Sequence, residues 1–191
     1  LEKFYKERRI YGLEQDEYFI DIGIPEDYNR AGRELSSPPL RLRDINKSWT
    51  LFLDRDGVIN EDKPGSYIFT AAEFTFTAGG PQHFKKLAEK FGLSFVVTNQ
   101  RGVGRGLMSA GDLAAIHEKM ITEIANAGGR IDHVYFATAT DNKDPFRKPN
   151  PGMAFRAKAD FPSIEFARSI MVGNKLSDMR WGKNAGMYTV F

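Results

Sequence analysis

Two carboxylates stand two residues apart in Asp54-Arg55-Asp56-Gly57-Val58, directly after the apolar run Thr50-Leu51-Phe52-Leu53. On an extended chain such residues project to the same side, so Asp54 and Asp56 can share one cation or one substrate. Three more polar stretches follow apolar runs. Thr98-Asn99-Gln100-Arg101-Gly102-Val103-Gly104-Arg105-Gly106 succeeds Leu93-Ser94-Phe95-Val96-Val97, and Gly173-Asn174-Lys175-Leu176-Ser177-Asp178 succeeds Ser169-Ile170-Met171-Val172. Arg147-Lys148-Pro149 lies beyond a polar loop that follows the run ending at Phe136. Hard carboxylate oxygens suit a magnesium ion, while hydroxyl, amide and ammonium donors suit the oxygens of a phosphoryl group. The four stretches together read as a site for both.

Such a site needs elements to hold it. Short apolar runs of this kind are the pattern of strands buried on both faces. Between them, Phe84, Leu87, Ala88 and Phe91 line one face of a helix predicted over 81–92, stopped by Gly92. Ser109 with Asp112 three residues on predicts a capped helix start, followed by Leu113, Ile116, Met120 and Ile124 on one side. Asn150-Pro151 opens another helix, and residues 187–191 form a fifth strand. Strands alternating with helices imply an α/β fold with a doubly wound, mostly parallel sheet, in which ligands bind beyond the carboxyl ends of the strands. The intervals from Asp54 to Thr98 and from Thr98 to Lys148 each hold one helix with its loops, so no large cap domain is expected. Substrate selection then falls to the loops 62–76 and 101–108.

Composition narrows the classes. The chain has 191 residues, 41% hydrophobic and 27% charged, enough apolar content for a packed core. Lys and Arg number 27 against 25 acidic residues, a net charge of +2, which offers nothing for coating a nucleic acid. There is no cysteine, so disulfide scaffolds and thiolate zinc sites are excluded. No run reaches the ~18–20 apolar residues of a membrane span, and the expected location is cytoplasmic. Residues 1–46 read as an N-terminal arm ending in a linker at Ser36-Ser37-Pro38-Pro39, with a helix starting at Pro25; residues 47–191 read as the catalytic domain.

The stretches Leu53-Asp54-Arg55-Asp56-Gly57-Val58-Ile59-Asn60, Thr98-Asn99-Gln100, Arg147-Lys148-Pro149-Asn150-Pro151-Gly152-Met153 and Val172-Gly173-Asn174-Lys175-Leu176-Ser177-Asp178-Met179 occur in an order that resembles the haloacid-dehalogenase (HAD) superfamily. Within it, the chain is most similar to the histidinol-phosphate and heptose-bisphosphate phosphatase group. The resemblance implies that Asp54 is a nucleophile forming an acyl-phosphate, and that Asp56 gives a proton to the leaving alkoxide and then takes one from water. It implies Mg2+ held by Asp54, the Asp56 carbonyl and Asn174. Thr98, Asn99 and Gln100 would bind the phosphoryl group, Lys148 would neutralise it, and Asp178 would either fix Lys148 or complete the metal shell. Arg101, Arg105 and Arg147 are candidate contacts for a second anionic group on a small phosphorylated sugar.

Two departures from the family pattern matter. The family usually places Asp where this chain has Asn174, so weaker metal binding is expected. The Cys/His zinc loop of many heptose-bisphosphate phosphatases has no counterpart in residues 136–146, so no zinc is expected, and Asp141, Asp144 and Pro145 must order that loop. Residues 18–31, Tyr18 to Ala31, resemble the end of a sugar-nucleotidyltransferase domain, with Asp21 at a metal-binding position there. That likeness points to a fused or adjacent nucleotidyltransferase and to heptose 1,7-bisphosphate as substrate. Histidinol phosphate is an alternative substrate. A non-catalytic HAD domain scaffolding a nucleotidyltransferase is an alternative role. The three histidines, His83, His117 and His133, lack metal spacing and read as structural or solvated.

Overall fold

The computed structural model describes residues 23–35 and 40–191. The linker at 36–39 and the arm through Ile22, with Asp21, lie outside the described residues. The chain divides into two compact units after Arg41. In the first, helix α1 spans Pro25–Leu35, with Pro25 at its start and Glu26 and Asp27 in its first turn. There they complement the partial positive charge of the unpaired N–H groups.

The second unit is built on strands β1 (Thr50–Leu53), β2 (Leu93–Asn99), β3 (His133–Ala137), β4 (Ser169–Val172) and β5 (Tyr188–Val190). They form one sheet in the order β3-β2-β1-β4-β5, every neighbouring pair parallel. Helices α2 (His83–Lys90), α3 (Arg101–Gly104), α4 (Ala110–Asn126), α5 (Gly152–Asp160) and α6 (Leu176–Ala185) connect them. The chain runs outward from β1 through β2 to β3, then returns to the other side of β1 for β4. That reversal puts the topological switch point at the end of β1, where an open parallel sheet parts to admit a ligand.

Side chains alternate across the sheet and bury both faces. Phe52, Phe95, Val97, Tyr135 and Met171 join Met153, Ala154 and Ala157 of α5 and Trp181 and Ala185 of α6 in one core. Leu51, Leu53, Val96 and Ile170 alternate with these and point to the opposite face, and α4 is buried through Leu113, Ile116, Met120 and Ile124. Phe52 meets Phe95 at 5.3 Å and the edge of Trp181 at 5.5 Å between ring centroids, locking β1 in the centre. The register pairs Leu53 with both Val96 and Val172, so β1 and β4 end at one level while β2 runs on beside β3 to Asn99.

Local signals account for the helix ends. Ser109 and Asp112 form a reciprocal cap on α4: the Asp112 amide donates to Ser109 Oγ at 3.0 Å and the Ser109 amide to Asp112 Oδ2 at 2.9 Å. The helix expected over 81–92 is shorter as an α-helix, because a 3-10 turn occupies Gly80–Gln82 before α2 begins. Gly186, in the left-handed region, ends α6. Among the described residues, no helix is long and apolar enough to cross a membrane.

Candidate active site

Asp54 leaves the end of β1 with its amide still hydrogen-bonded to the Val172 carbonyl at 2.9 Å, so the sheet ladder fixes its position. Its Oδ1 accepts from the Arg55 amide at 2.8 Å and lies 2.8 Å from Lys148 Nζ. Among the described residues, no hydrogen bond or ion pair engages Oδ2. Lys148 Nζ also sits 2.8 Å from Asp178 Oδ1 and donates to the Val97 carbonyl at 2.7 Å. The ammonium thus faces two carboxylate oxygens and one main-chain carbonyl. Asp54, Lys148 and Asp178 are all nearly inaccessible to solvent. Burial pushes the Asp54 carboxyl above its ordinary value; Lys148 pulls it down and Asp178 adds to the rise.

Asp178 takes the Lys175 amide on its other oxygen at 2.9 Å, closing the first turn of α6. Its Oδ1 pairs with Lys148 at ion-pair distance but accepts no hydrogen bond among the described residues, so the geometry suits either of its two expected roles, fixing Lys148 or completing a metal shell. A Cβ on Gly173 would come within 2.3 Å of the Asp178 side chain, so only glycine lets that carboxylate lie against the strand end.

Asp56 has a different environment. Arg55 grips it side-on, with Nε and Nη2 at 3.1 and 2.9 Å from Oδ1 and Nη2 at 3.0 Å from Oδ2. Asn60 Nδ2 donates to Oδ1 at 3.1 Å and Gln100 Nε2 to Oδ2 at 3.0 Å. Burial alone would raise its pKa, but the Arg55 charge and these donors win and hold Asp56 below the usual carboxylate value. Arg55 itself is buried, with Nη1 3.3 Å from His117 Nε2. Nothing in the sequence pointed to this contact, because it joins a strand end to the middle of α4; an otherwise apolar helix face interrupted by His117 was the available signal.

The remaining expected residues divide in two. Thr98 reaches the cleft, accepting from Gln100 Nε2 at 2.9 Å and keeping its own O–H. Asn99 lines the cleft as well, with its side-chain amide hydrogen-bonded inside the protein. Its side chain pairs with the Lys148 main chain, accepting its amide at 3.0 Å and donating to its carbonyl at 3.1 Å. The Gln100 amide is likewise spent on Asp56 and Thr98 rather than held out for phosphate. Asp54, Asp56, Thr98, Asn99, Lys148, Lys175, Ser177 and Asp178 line one small cleft.

Arg101, Arg105 and Arg147 do not line it. They gather beside it: Arg101 Nη2 donates to the Thr140 carbonyl at 2.6 Å, Arg105 Nη1 to Tyr67 Oη at 3.3 Å, and Arg147 Nη1 to the Ala139 carbonyl at 3.3 Å. Desolvation, with the positive fields of Arg101 and Arg105, lowers the Arg147 pKa. The loop before Arg147 is ordered by Asp141 and Asp144, whose carboxylates accept the amides of Lys143 and Phe146 at 2.9 and 2.8 Å. Asn150 adds bonds to the Asn142 and Asp144 carbonyls. On the opposite side, Lys175 Nζ meets Asp62 Oδ2 at 3.1 Å across the cleft mouth.

The residues present fit a hard cation. Asn174 Oδ1 is buried and, among the described residues, meets no hydrogen-bond donor. The Asn174 amide lies where a Cβ on Gly57 would stand, 1.9 Å from Nδ2, and Gly57 has φ of 87°. Glycine at 57 thus serves both a left-handed turn and the close approach of Asn174. Among the described residues no three His, Cys, Asp or Glu side chains form a metal-binding group. A cation here would therefore draw on amide and main-chain oxygens besides Asp54.

Comparison with known proteins agrees with this geometry. Residues 145–191 match the HAD-hydrolase-like family model. The heptose 1,7-bisphosphate phosphatase of B. bronchiseptica, solved with magnesium and phosphate, superposes with a TM-score of 0.68 at 30% identity, covering 74% of this chain and 78% of that one. Fold and site thus define a HAD-like hydrolase.

The sequence relatives are more specific. The D-glycero-alpha-D-manno-heptose-1,7-bisphosphate 7-phosphatase of Burkholderia mallei is 40% identical over 152 residues, 75% of this chain and 78% of the relative. Its counterpart from Mycobacterium tuberculosis is 39% identical over 139 residues, 71% and 72% of the two chains. The chain belongs to this heptose-bisphosphate phosphatase family of HAD-like hydrolases.

Proposed function

We propose that the protein is a magnesium-dependent phosphatase that removes the 7-phosphate from D-glycero-D-manno-heptose 1,7-bisphosphate through an aspartyl-phosphate on Asp54. The observation that carries this reading is the asymmetry of the Asp54 carboxylate: Oδ1 is pinned by Lys148 and the Arg55 amide, while Oδ2 is left for attack. The pinned oxygen fixes the carboxylate plane, which orients the nucleophile before substrate arrives. Phosphorus is attacked by Oδ2 and the bond to the sugar oxygen breaks; Asp56, ionised in the free protein, takes up a proton as the phosphomonoester binds and passes it to that oxygen. Asp56 then takes a proton from the water that cleaves the acyl-phosphate. Thr98 donates to the phosphoryl oxygens and Lys148 offsets their charge.

Two buried carboxylates against one ammonium leave the floor with a net negative charge, which would repel a phosphate dianion. Magnesium, when held by the Asp54 carboxylate, the Asp56 carbonyl and Asn174 Oδ1, supplies the positive charge that offsets this repulsion. The clustered arginines suit the 1-phosphate of a bisphosphate. A sugar 1-phosphate product is the substrate class of a nucleotidyltransferase, which fits the likeness seen in residues 18–31.

The test is phosphate release from both heptose anomers, with phosphorus NMR identifying the group lost. Magnesium-dependent loss of the 7-phosphate, abolished in Asp54→Asn, supports the reading. Turnover that survives Asp54→Asn, or release from carbon 1, overturns it.

A further inference from the structure

Arg55 carries its charge into the interior beside Asp56, and the geometry shows how that guanidinium is held. Its Nε and Nη2 face Asp56. Its Nη1 faces away, toward α4, where His117 Nε2 lies at 3.3 Å. Arginine has donors only, so Nε2 must be the acceptor and the imidazole must carry its proton on Nδ1. Burial and the adjacent Arg55 charge, opposed by Asp56, lower the His117 pKa to about 4, so the ring is neutral and this acceptor persists at neutral pH. Phe136 packs on the ring with centroids 5.6 Å apart. Leu113, Ala114 and Ile121 line the same hollow together with the polar Glu118 and Thr122. Among the described residues, His117 is the acceptor that Nη1 reaches.

We propose that His117 is a positioning residue for proton transfer: it anchors the outer edge of Arg55, and Arg55 in turn fixes the plane of the Asp56 carboxylate. The carboxylate has its Oδ1 saturated by Arg55 and Asn60, while Oδ2 takes fewer donors and is the oxygen freer to exchange a proton. Were Arg55 to swing toward a vacated His117 position, Oδ1 would lose its donors and the carboxylate would rotate. The reacting oxygen would then leave its place relative to Asp54. A misplacement of this kind costs rate and leaves ground-state binding alone. The inference rests on Asp56 being the group that exchanges protons with the substrate and water.

Gln and Met are close in size and differ in having a hydrogen-bonding oxygen, so His117→Gln and His117→Met separate the acceptor from the packing. In the full chain, His117→Met is expected to lower kcat about 10-fold with KM within about two-fold, and His117→Gln to recover to within about three-fold of wild type. In an Arg55→Lys background, adding His117→Met is expected to change kcat less than about two-fold, because the route through Arg55 is already lost. Losses that multiply, or a change confined to KM, overturn the proposal. A second arm needs no turnover: exchange of the Arg55 Nε proton, read by nitrogen-15 NMR, should quicken about 10-fold in His117→Met and return in His117→Gln. Unchanged exchange overturns the anchoring whatever the substrate. A wild type that cleaves no phosphomonoester overturns the phosphatase reading, and the exchange arm then still decides on the anchor. Should His117→Met not fold, His117→Leu takes its place in both arms.

Discussion

The floor of the cleft and the arginine cluster beside it use charge in opposite ways. In the floor, Asp54, Lys148 and Asp178 are no more than 6% exposed as side chains and lie 2.8 Å apart in a fixed chain of charges. In the cluster, Arg101, Arg105 and Arg147 are half-buried or exposed and bond to loop carbonyls and a tyrosine hydroxyl, with like charges facing one another. The floor has already met its desolvation cost by pairing inside the protein. The cluster sets three like charges against the nearby Asp144, and on the proposed reading an incoming anion would complete it. The proposed function places chemistry in the preformed part and selectivity in the part that a ligand would finish.

The sharpest way to break this contrast is to remove the cation of the floor. Lys148→Met leaves Asp54 and Asp178 facing each other without a counter-charge. Stripping one partner from a buried pair costs about 3–5 kcal/mol, so urea denaturation should show a loss of that order. Phosphate release should fall by more than about 100-fold, the effect of losing a donor aimed at the reacting group. Equal stability of variant and wild type would mean that the buried charges of the floor are not held by their mutual pairing.

A pH experiment probes the same buried region from the α4 side. His117 has a folded pKa lowered from 6.5 to about 4, so the unfolded chain binds the extra proton first as pH falls. Stability contributed by the neutral ring is fully present above about 6.5 and is lost as pH drops toward 4, a change of about 3 kcal/mol. Asp54, raised by burial, slopes the other way above its unfolded value, so the total curve mixes the two. The difference between wild type and His117→Gln isolates the histidine. That difference should grow on acidification from pH 6.5 to 4 and be flat above 7; a flat difference throughout would remove His117 from the buried network.

How much of this could be read from residue order also differs between the two regions. Asp54, Thr98 and Asp178 directly follow or lie a turn beyond short apolar runs, and strand ends in a parallel sheet converge by topology alone. Their neighbourhood was therefore legible. The partners that occupy each donor were not. Asn99 and Gln100 looked free to bind phosphate because a sequence shows amides without showing what they meet; in the fold they meet the Lys148 main chain and Asp56. His117 read as structural or solvated for the same reason: its link to Arg55 spans 62 positions and depends on how α4 crosses the sheet. The helix starting at Ser109 was legible because a cap is a local device, whereas the shortening of α2 came from a 3-10 turn at Gly80–Gln82 that periodicity does not distinguish.

Asn174 lies between floor and rim in expected effect. Replacing it with Asp adds a charge where an oxygen already lacks a donor, so magnesium should bind about 10-fold more tightly, following the dependence of affinity on ligand charge. Calorimetric titration of the two proteins, without substrate, checks this. Indistinguishable affinities would mean that Asn174 Oδ1 does not face the cation.

The smallest effects belong to the arginine cluster, and they test the division of labour most directly. Arg101→Ala, Arg105→Ala and Arg147→Ala each remove one exposed or half-buried cation from loops, so stability should shift by no more than about 0.5 kcal/mol. If the cluster completes itself on a second phosphate, each change should raise KM for a heptose bisphosphate about three- to 10-fold, with kcat within about two-fold, because binding to that group is equal in ground and transition states. The same variants should leave KM for a heptose 7-monophosphate unchanged, since nothing then remains for the cluster to hold. Arg105→Ala should be the mildest, as its partner is the neutral Tyr67 hydroxyl at 3.3 Å and its side chain is the most open of the three. A fall in kcat with both substrates would mean that the arginines act on the reacting centre, and that the boundary between the two regions has been drawn in the wrong place.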